Sequence, residues 1–422
     1  MQLAGKKSLL GALSLATSTL LGSGTSAAAA QTELESTALL YKETGRITVV
    51  TALFGIKTEI REKQFLSLNM IYDGMTGASP NGAAAAKKVQ SFTRPSGLSF
   101  YKVQPGKIPL DDSFTDKRAA MDVSYSRPAG QLSDFSFGLH LSNENDYTSQ
   151  SLNTSLTRDF NHRNTTLSLS GSVSRDVVRP IGGLPLPFAF MVVSGIQSRY
   201  GQNADKKVYD LLAGVTQVID RETLVRLNYS FGRATGYLNE PYKLISIVEG
   251  ESSDSPGEPF NYIYEGRPSS RNKHALFGQI RRYLRGNSLD FSYRYFRDNW
   301  RIHSQMADLF YLWNLPKGRS LEPHIRWYKQ SAAYFYRYSI IRASEQPTYA
   351  SADFRLAPFS ALTFGLQYGF TVRNRHKLKI TAEYYSQFGD RSPPGTLQAP
   401  LDRSLLPEVS AFMIRIGYTS GS

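Results

Sequence analysis

Val225-Arg226-Leu227-Asn228-Tyr229-Ser230-Phe231-Gly232 is the stretch that decides the fold of this 422-residue chain. In an extended backbone successive side chains point to opposite faces, so Val225, Leu227, Tyr229 and Phe231 share one face and Arg226, Asn228, Ser230 and Gly232 the other. The pattern recurs on both sides of it. Ala119, Met121, Val123 and Tyr125 oppose Asp122 and Ser124; Phe135, Phe137, Leu139 and Leu141 oppose Ser136, Gly138 and His140. Leu167, Leu169 and Val173 oppose Ser168, Ser170 and Ser172. Leu289, Phe291, Tyr293 and Tyr295 oppose Asp290, Ser292 and Arg294, and Leu362, Phe364, Leu366, Tyr368 and Phe370 oppose Thr363, Gly365, Gln367 and Gly369.

These segments run to roughly nine to fourteen residues, enough for a tilted membrane crossing of about ten. Strands of soluble sandwiches average about five or six. Alternation alone does not say which face is inside. Aromatic residues near the ends of the apolar faces do: Tyr125, Tyr311, Trp313, Trp327, Tyr368, Phe370, Tyr384 and Tyr418 suit two interfacial girdles on a lipid-facing exterior. The expected fold is therefore all-β, a transmembrane antiparallel up-and-down barrel.

The connections alternate in length. Short turns are expected at 128–130, 161–164, 220–222, 285–287, 316–319 and 373–375. Long segments separate them at 74–115, 179–206, 236–271, 337–359 and 389–407, matching short periplasmic turns and long external loops. Counting from Arg46 gives an odd number of strands; adding 36–43, which turns at Thr44-Gly45, makes about sixteen, even as in bacterial single-chain barrels. At that size the lumen is normally aqueous. The last strand, 409–418, points Phe412, Ile414, Ile416 and Tyr418 outward, and resembles a C-terminal recognition strand except for the overhang 419–422. Residues 31–422 are read as one barrel domain, whose loops could hold small helices but no plug domain.

Residues 1–30 read as a signal peptide: Lys6 and Lys7 precede an apolar run from Leu9 to Leu21, and Ala28-Ala29-Ala30 offers a cleavage site. The chain has no cysteine, so disulfides and thiolate metal sites are excluded. No segment offers eighteen consecutive apolar residues, which excludes a membrane-spanning helix. The formal charge of +14 falls to +12 without Lys6 and Lys7. An exported protein does not meet chromosomal nucleic acid, so lipopolysaccharide phosphates or small anionic solutes are the expected partners of this charge. Outer-membrane lipid and the barrel-assembly machinery follow from the expected location, the outer membrane of a Gram-negative cell. Oligomeric state is not readable.

Five stretches carry a resemblance to a known family. They are Tyr72-Asp73-Gly74-Met75-Thr76-Gly77-Ala78-Ser79-Pro80-Asn81-Gly82, Asp159-Phe160-Asn161-His162-Arg163-Asn164-Thr165-Thr166, Gly236-Tyr237-Leu238-Asn239-Glu240-Pro241-Tyr242-Lys243-Leu244, Arg267-Pro268-Ser269-Ser270-Arg271 and Tyr349-Ala350-Ser351-Ala352-Asp353-Phe354-Arg355. Over 37–418 the chain resembles a bacterial family catalogued as a domain of unknown function, DUF3570, expected to form outer-membrane barrels. The resemblance transfers no catalytic or ligand residue. Genes of the family often lie beside flavin-transfer and thioredoxin-like genes, an association that hints at envelope redox work.

The alternation places Asp122, His140, Arg226, Asp290, Arg294, Glu322, His324, Arg326, Lys379, Glu383 and Arg415 on the lumen wall. They read as a polar pore whose field selects solutes, or as paired wall charges that stiffen the barrel. The remaining histidines, His162, His274, His303 and His376, form no H-E-x-x-H motif, and no G-x-S-x-G appears. No enzyme activity, cofactor or metal is therefore expected; a barrel hydrolase would rest on Glu322 and His324 alone. Asp111, Asp112 and Asp116 are expected in one external loop and Glu249, Glu251, Asp254 and Glu258 in another, with no calcium-loop spacing, so solvated acidic loops are the reading. The apolar segment 188–196 should not face water freely; it folds into the lumen, rests on a partner or rim, or extends a strand. Arg267, Arg271 and Lys273 are expected at the external mouth. The leading functional expectation is a channel for small polar or anionic solutes; the alternative is a non-conducting scaffold or export partner.

Overall fold

The computed structural model describes residues 32–94, 99–193, 197–344, 346–373, 376–389 and 408–421. The expected signal peptide and most of the expected loop 389–407 lie outside them.

The chain enters the wall with β1 (Thr32–Glu43), β2 (Ile47–Arg61) and β3 (Gln64–Pro80). Two loop strands follow, β4 (Gln90–Thr93) and β5 (Phe100–Val103). The wall resumes with β6 (Leu110–Pro128), β7 (Ser133–Asn143), β8 (Tyr147–Phe160) and β9 (Thr165–Val178). A second excursion holds β10 (Leu184–Pro185) and β11 (Arg199–Gly201) before wall strands β12 (Ala204–Val218) and β13 (Thr223–Gly236). A third holds β14 (Leu244–Val248) and β15 (Pro259–Tyr264). Then come β16 (Ser270–Leu284), β17 (Asn287–Asp298), β18 (His303–Leu315) and β19 (Arg319–Gln330). After loop strand β20 (Ser339–Ile341), β21 (Phe359–Arg373), β22 (His376–Gly389) and β23 (Val409–Gly421) complete the wall.

Sixteen strands close into an antiparallel barrel. The seam joins β1 to β23, with Thr37 opposite Gly417 and Leu39 opposite Arg415, so no sheet edge stays open. The apolar face of every wall segment points out: Leu227, Phe291 and Phe364 are 47%, 42% and 52% exposed, whereas Ser292 and His324 on the other face are 8% and 5% exposed. A band of this size in water would be an aggregation surface; in lipid it is the solvated one. The turns of 62–63, 129–132, 161–164, 219–222, 285–286 and 316–318 gather at one end, and the excursions 81–109, 179–203, 237–269 and 331–358 at the other.

Among the described residues the excursions hold one short 3-10 helix, Phe354–Leu356, and otherwise fold as small sheets, β4 with β5, β10 with β11, and β15-β14-β20 with β14 and β20 parallel. One expectation is corrected: β3 and β6 stay paired as far as Pro80 and Leu110, so Asp111, Asp112 and Asp116 lie in a strand rather than a loop. The apolar segment extends the loop sheet: Phe188 and Met191 donate backbone N–H groups to Tyr264 and Tyr262, while residues 194–196 lie outside the described residues.

The excursions pack on one another. Phe92, Tyr101, Met191, Leu244 and Tyr264 form one buried cluster, drawn from three excursions. Ile245, Ile263, Ala350 and Ala352 form a second; Trp300, Ile302, Phe335, Tyr336 and Leu356 form a third. A fully buried large apolar side chain contributes about 1.5–3 kcal/mol, and here the burial of each excursion depends on the others. Together they make a packed cap on one end of the barrel.

Candidate functional site

Four of the five signature stretches meet at this cap. Gly82 lies in the left-handed region at φ +93°, and a Cβ there would come 2.6 Å from the Leu244 carbonyl oxygen. Only glycine lets the first stretch run so close to the third, where Leu244 N–H donates to the Asn81 carbonyl at 2.8 Å. The third stretch leaves the wall at Gly236, φ +105°, whose Cβ would lie 2.3 Å from the Asp205 carbonyl oxygen. Gly266 and Ala350 exchange backbone hydrogen bonds at 2.9 and 2.8 Å, which joins the third excursion to the fourth. The remaining signature stretch, at the opposite end, forms a turn in which Asn161, His162 and Arg163 have positive φ.

A buried charge network ties the stretches together. Asp353 accepts from the Arg267 guanidinium at 2.9 Å and the Arg355 guanidinium at 2.6 Å, and caps the short turn Phe354–Leu356 through the Arg355 N–H. Glu265 pairs with Arg267 at 2.6 Å and accepts from the Ser351 hydroxyl; Arg355 reaches on to Glu240 at 2.9 Å. Lys243 donates to the Pro80 carbonyl. Burial raises the Asp353 carboxyl, but Arg355, Lys243 and Arg267 outweigh it and hold it well below the usual carboxylate range. Burial pushes Glu265 up, with Arg267 opposing, and pushes the Lys243 ammonium down, with Asp353 opposing.

Beneath the cap lies a chamber of about 1110 Å³. Its lining mixes cap residues (Tyr237, Glu240, Tyr264, Arg355) with wall residues (Asp116, Lys273, Arg294, Tyr328). Ten Lys or Arg and seven Asp or Glu line it, so it is strongly polar with a positive balance. Ligand pockets typically measure about 300–1,000 Å³, which makes this space the size of one small solute.

The eleven expected wall residues occupy the inner face, but in distinct roles. Asp122 accepts from His140 Nδ1 at 2.6 Å across β6 and β7. Asp290 pairs with Arg281 at 2.6 Å. Asp308, absent from the sequence reading, binds both His324 Nε2 at 2.9 Å and Arg326 at 2.7 Å. Glu383 meets His324 Nδ1 at 3.3 Å across β21, where Gly365 leaves room: a Cβ there would be 2.9 Å from Glu383 Cγ. Phe310 stacks on the His324 ring at 4.0 Å.

The structure does not bring Glu322 to His324. Glu322 instead accepts from Gln367 at 3.2 Å. Both ring nitrogens of His324 face carboxylates, so the ring is a wall brace with no free nitrogen to act as a base. Arg226, Arg294, Lys379 and Arg415 make no ion pair among the described residues. At the mouth, Arg267 and Arg271 are corrected: Arg267 is buried against Glu265 and Asp353, and Arg271 pairs with Asp298 at 2.6 Å, so neither is a free anion-attracting group. Of the acidic loop, Glu249 pairs with Arg342 at 2.7 Å. A separate carboxylate group was not visible in sequence: Asp116, Glu144 and Asp146 each bring an oxygen within 4.8 Å of the others. Alternation identifies faces within a strand but not which strands become neighbours.

A closed barrel with an apolar exterior and a polar, capped interior is an outer-membrane-type barrel. The chain belongs to the family described as Protein of unknown function (DUF3570), whose model matches residues 10–420. No curated protein matches it. Among solved structures it is similar in fold to the siderophore receptor PirA from Acinetobacter baumannii, at 8% identity and TM-score 0.44, covering 86% of this chain and 53% of that one. It thus spans about half the length of that receptor. OccAB1 from Acinetobacter baumannii aligns at 9% identity and TM-score 0.41, covering 93% of this chain and 96% of the other. The CymD monoaromatic hydrocarbon channel aligns at 8% identity and TM-score 0.39, covering 100% and 94%.

Proposed function

We propose that the protein is a channel in the outer membrane of a Gram-negative cell that passes small polar or anionic solutes. The observation that carries this is the imbalance on the lumen wall. Of the acids, Asp122, Asp290, Asp308 and Glu383 are engaged by His140, Arg281, His324 and Arg326 and Glu322 bonds only to Gln367, whereas four cations, Arg226, Arg294, Lys379 and Arg415, make no ion pair among the described residues. Unpaired wall charge sets the field that a solute meets. The chamber above it holds one small solute at a time.

Reversal potentials of purified protein in planar bilayers test the reading. Screening over about 8–10 Å at ordinary salt makes the preference weak. A modest anion preference is expected at low salt, fading at high salt. Arg294→Glu with Arg326→Glu should move it toward cations. A cation-selective pore, or one indifferent to that pair, refutes the reading. The packed cap favours a second reading, a non-conducting barrel that presents the cap to an envelope partner; a folded barrel without conductance selects it. A cysteine at Ser252, in a chain with none of its own, should be labelled on intact cells if the cap faces outward.

A further inference from the structure

Most charges of the chamber lining are interspersed, but two sets make no ion pair among the described residues and stand on different sides. Asp116 comes from β6, and Glu144 and Asp146 from the turn between β7 and β8; all three line the chamber and none makes an ion pair among the described residues. Asp146 does accept from the Tyr242 hydroxyl at 2.9 Å, which orients it. Opposite them stand Lys273 on β16 and Arg294 on β17, which also line the chamber without an ion pair among the described residues. Along the closed wall β16 and β17 are six and seven strands from β6, and four to six from β7 and β8, whose turn carries Glu144 and Asp146, where eight would be diametric. Tyr237 lines the same chamber at 7% exposure, and its hydroxyl, which has no hydrogen-bond partner among the described residues, is closed off from the chamber's free space.

We propose that the chamber binds a zwitterionic solute, a short peptide, with its ammonium at Asp116, Glu144 and Asp146 and its carboxylate at Lys273 and Arg294. The class follows from the spacing as well as the signs. A sphere of the chamber's volume is about 13 Å across, and three extended residues span about 10 Å. A free amino acid is too short to reach both sides. An inorganic anion or cation would satisfy one side and leave the other unpaired. The proposal also gives a role to a carboxylate cluster at the outer end of this wall: a net-neutral solute is oriented there before it meets the lower wall.

The proposal names the substrate of the channel reading and rests on it for transport, but the binding is measured without it. Purified barrel in detergent is titrated calorimetrically with trialanine, with N-acetyl trialanine amide and with calcium chloride. Trialanine should bind and the capped peptide should bind at least about tenfold more weakly, the loss expected for about 1.4 kcal/mol of charge interaction. Asp116→Asn with Asp146→Asn, and separately Lys273→Met with Arg294→Gln, should each weaken trialanine by about tenfold or more. Each variant is first required to keep the heat-modifiable gel shift of a folded barrel. Equal binding of capped and free peptide overturns the proposal, as does binding of calcium at the carboxylates with no heat from trialanine. Peptide binding without conductance leaves the site standing and removes the channel. Conductance without peptide binding removes the site and leaves the channel.

Discussion

Asp353→Ala should release the cap and leave the wall intact. Asp353 is 1% exposed and accepts hydrogen bonds from two guanidinium groups and from the Arg355 N–H. Removing one partner of a buried ion pair costs about 3–5 kcal/mol, because the remaining charge stays buried and uncompensated. Here Arg267 keeps Glu265 and Arg355 keeps Glu240, which places the cost near the lower end, about 3 kcal/mol. Lys243, 6% exposed and attracted by Asp353, loses its main source of compensation as well. An opening equilibrium shifted by about 3 kcal/mol changes by about a hundredfold. Hydrogen–deuterium exchange of detergent-solubilised protein reads it directly. Amides of 244–248, 259–264 and 339–341 should exchange about a hundredfold faster, and those of β6 to β9 should not change. Asp353→Asn keeps the shape and part of the hydrogen bonding and should show a smaller acceleration. Unchanged protection in the cap refutes the network as its fastener. Loss of the wall together with the cap refutes their independence.

Other consequences follow from the same geometry. Leu227→Arg, Phe291→Arg and Phe364→Arg place a charge on the lipid face, at about 2–4 kcal/mol each near the midplane, and should abolish the heat-modifiable gel band; Ser170→Arg and Ser292→Arg, on the inner face, should spare more of it, and equal damage would contradict the face assignment. Gly365→Ala puts a Cβ 2.9 Å from Glu383 Cγ and should lower the urea midpoint of the barrel, at a cost of about 1–3 kcal/mol for overpacking, whereas Gly278→Ala, with nothing within 4 Å of its Cβ, should not. Peptide affinity should fall with acid, from a pH above the range in which exposed carboxylates titrate. Burial, then neighbouring Asp116, raises Glu144, and burial raises Asp146 against the Tyr242 hydrogen bond. The ionised forms attract the ammonium, so protonation removes binding; because protonation is favoured in the folded state, the same acid does not weaken folding through these two groups. Titrations of trialanine between about pH 4 and pH 8 check this, and an affinity flat over that window counts against the carboxylate side of the site.

The wall was legible because the signal is local and repeated. Each strand carries its own alternation, and the crossings and their lipid face follow from a period of two; the first strand, expected at 36–43 and observed as Thr32–Glu43, came from the even strand count. The extents were less so. β3 and β6 run on to Pro80 and Leu110 because they pair with each other, and pairing of that sort leaves no mark on hydropathy. The cap was not legible as a cap. Phe92, Leu244 and Tyr264 lie far apart in sequence and become a core only when three excursions meet. Arg267 illustrates the limit: a basic residue in a long polar loop reads as solvated, and its burial depends on Glu265, beside it, and Asp353, 86 residues away. His324 is a similar case. Sequence supplied the inner face, but its partners Asp308 and Glu383 come from β18 and β22, reached through register and through the space left at Gly365.

Two kinds of constraint act on this chain. A barrel wall needs only alternation, length and closure, and many side chains satisfy each position. The first signature stretch runs along the wall in β3 from Tyr72 to Pro80, but the most constrained residues sit at its end and in the cap. Gly82 and Gly236 are held by close backbone approach, Asp353 and Arg267 by a buried charge network, and Tyr237 by its place against the chamber. Residues of that kind cannot be exchanged one at a time, since a Cβ or an unpaired charge would cost several kcal/mol. A loop that only shielded a pore mouth would not need them. The cap is therefore the element whose exact form matters, and the chamber beneath it is the space that form defines. The free cations of the lower wall set a general preference among solutes; the opposed charges of the chamber select one kind of solute from within it. Lys273→Met with Arg294→Gln separates the two levels, because it should remove peptide binding while Arg226, Lys379 and Arg415 still leave the conducting pore with an anion preference. Should that pair erase the preference entirely, the chamber and the wall would be one selectivity element rather than two in series.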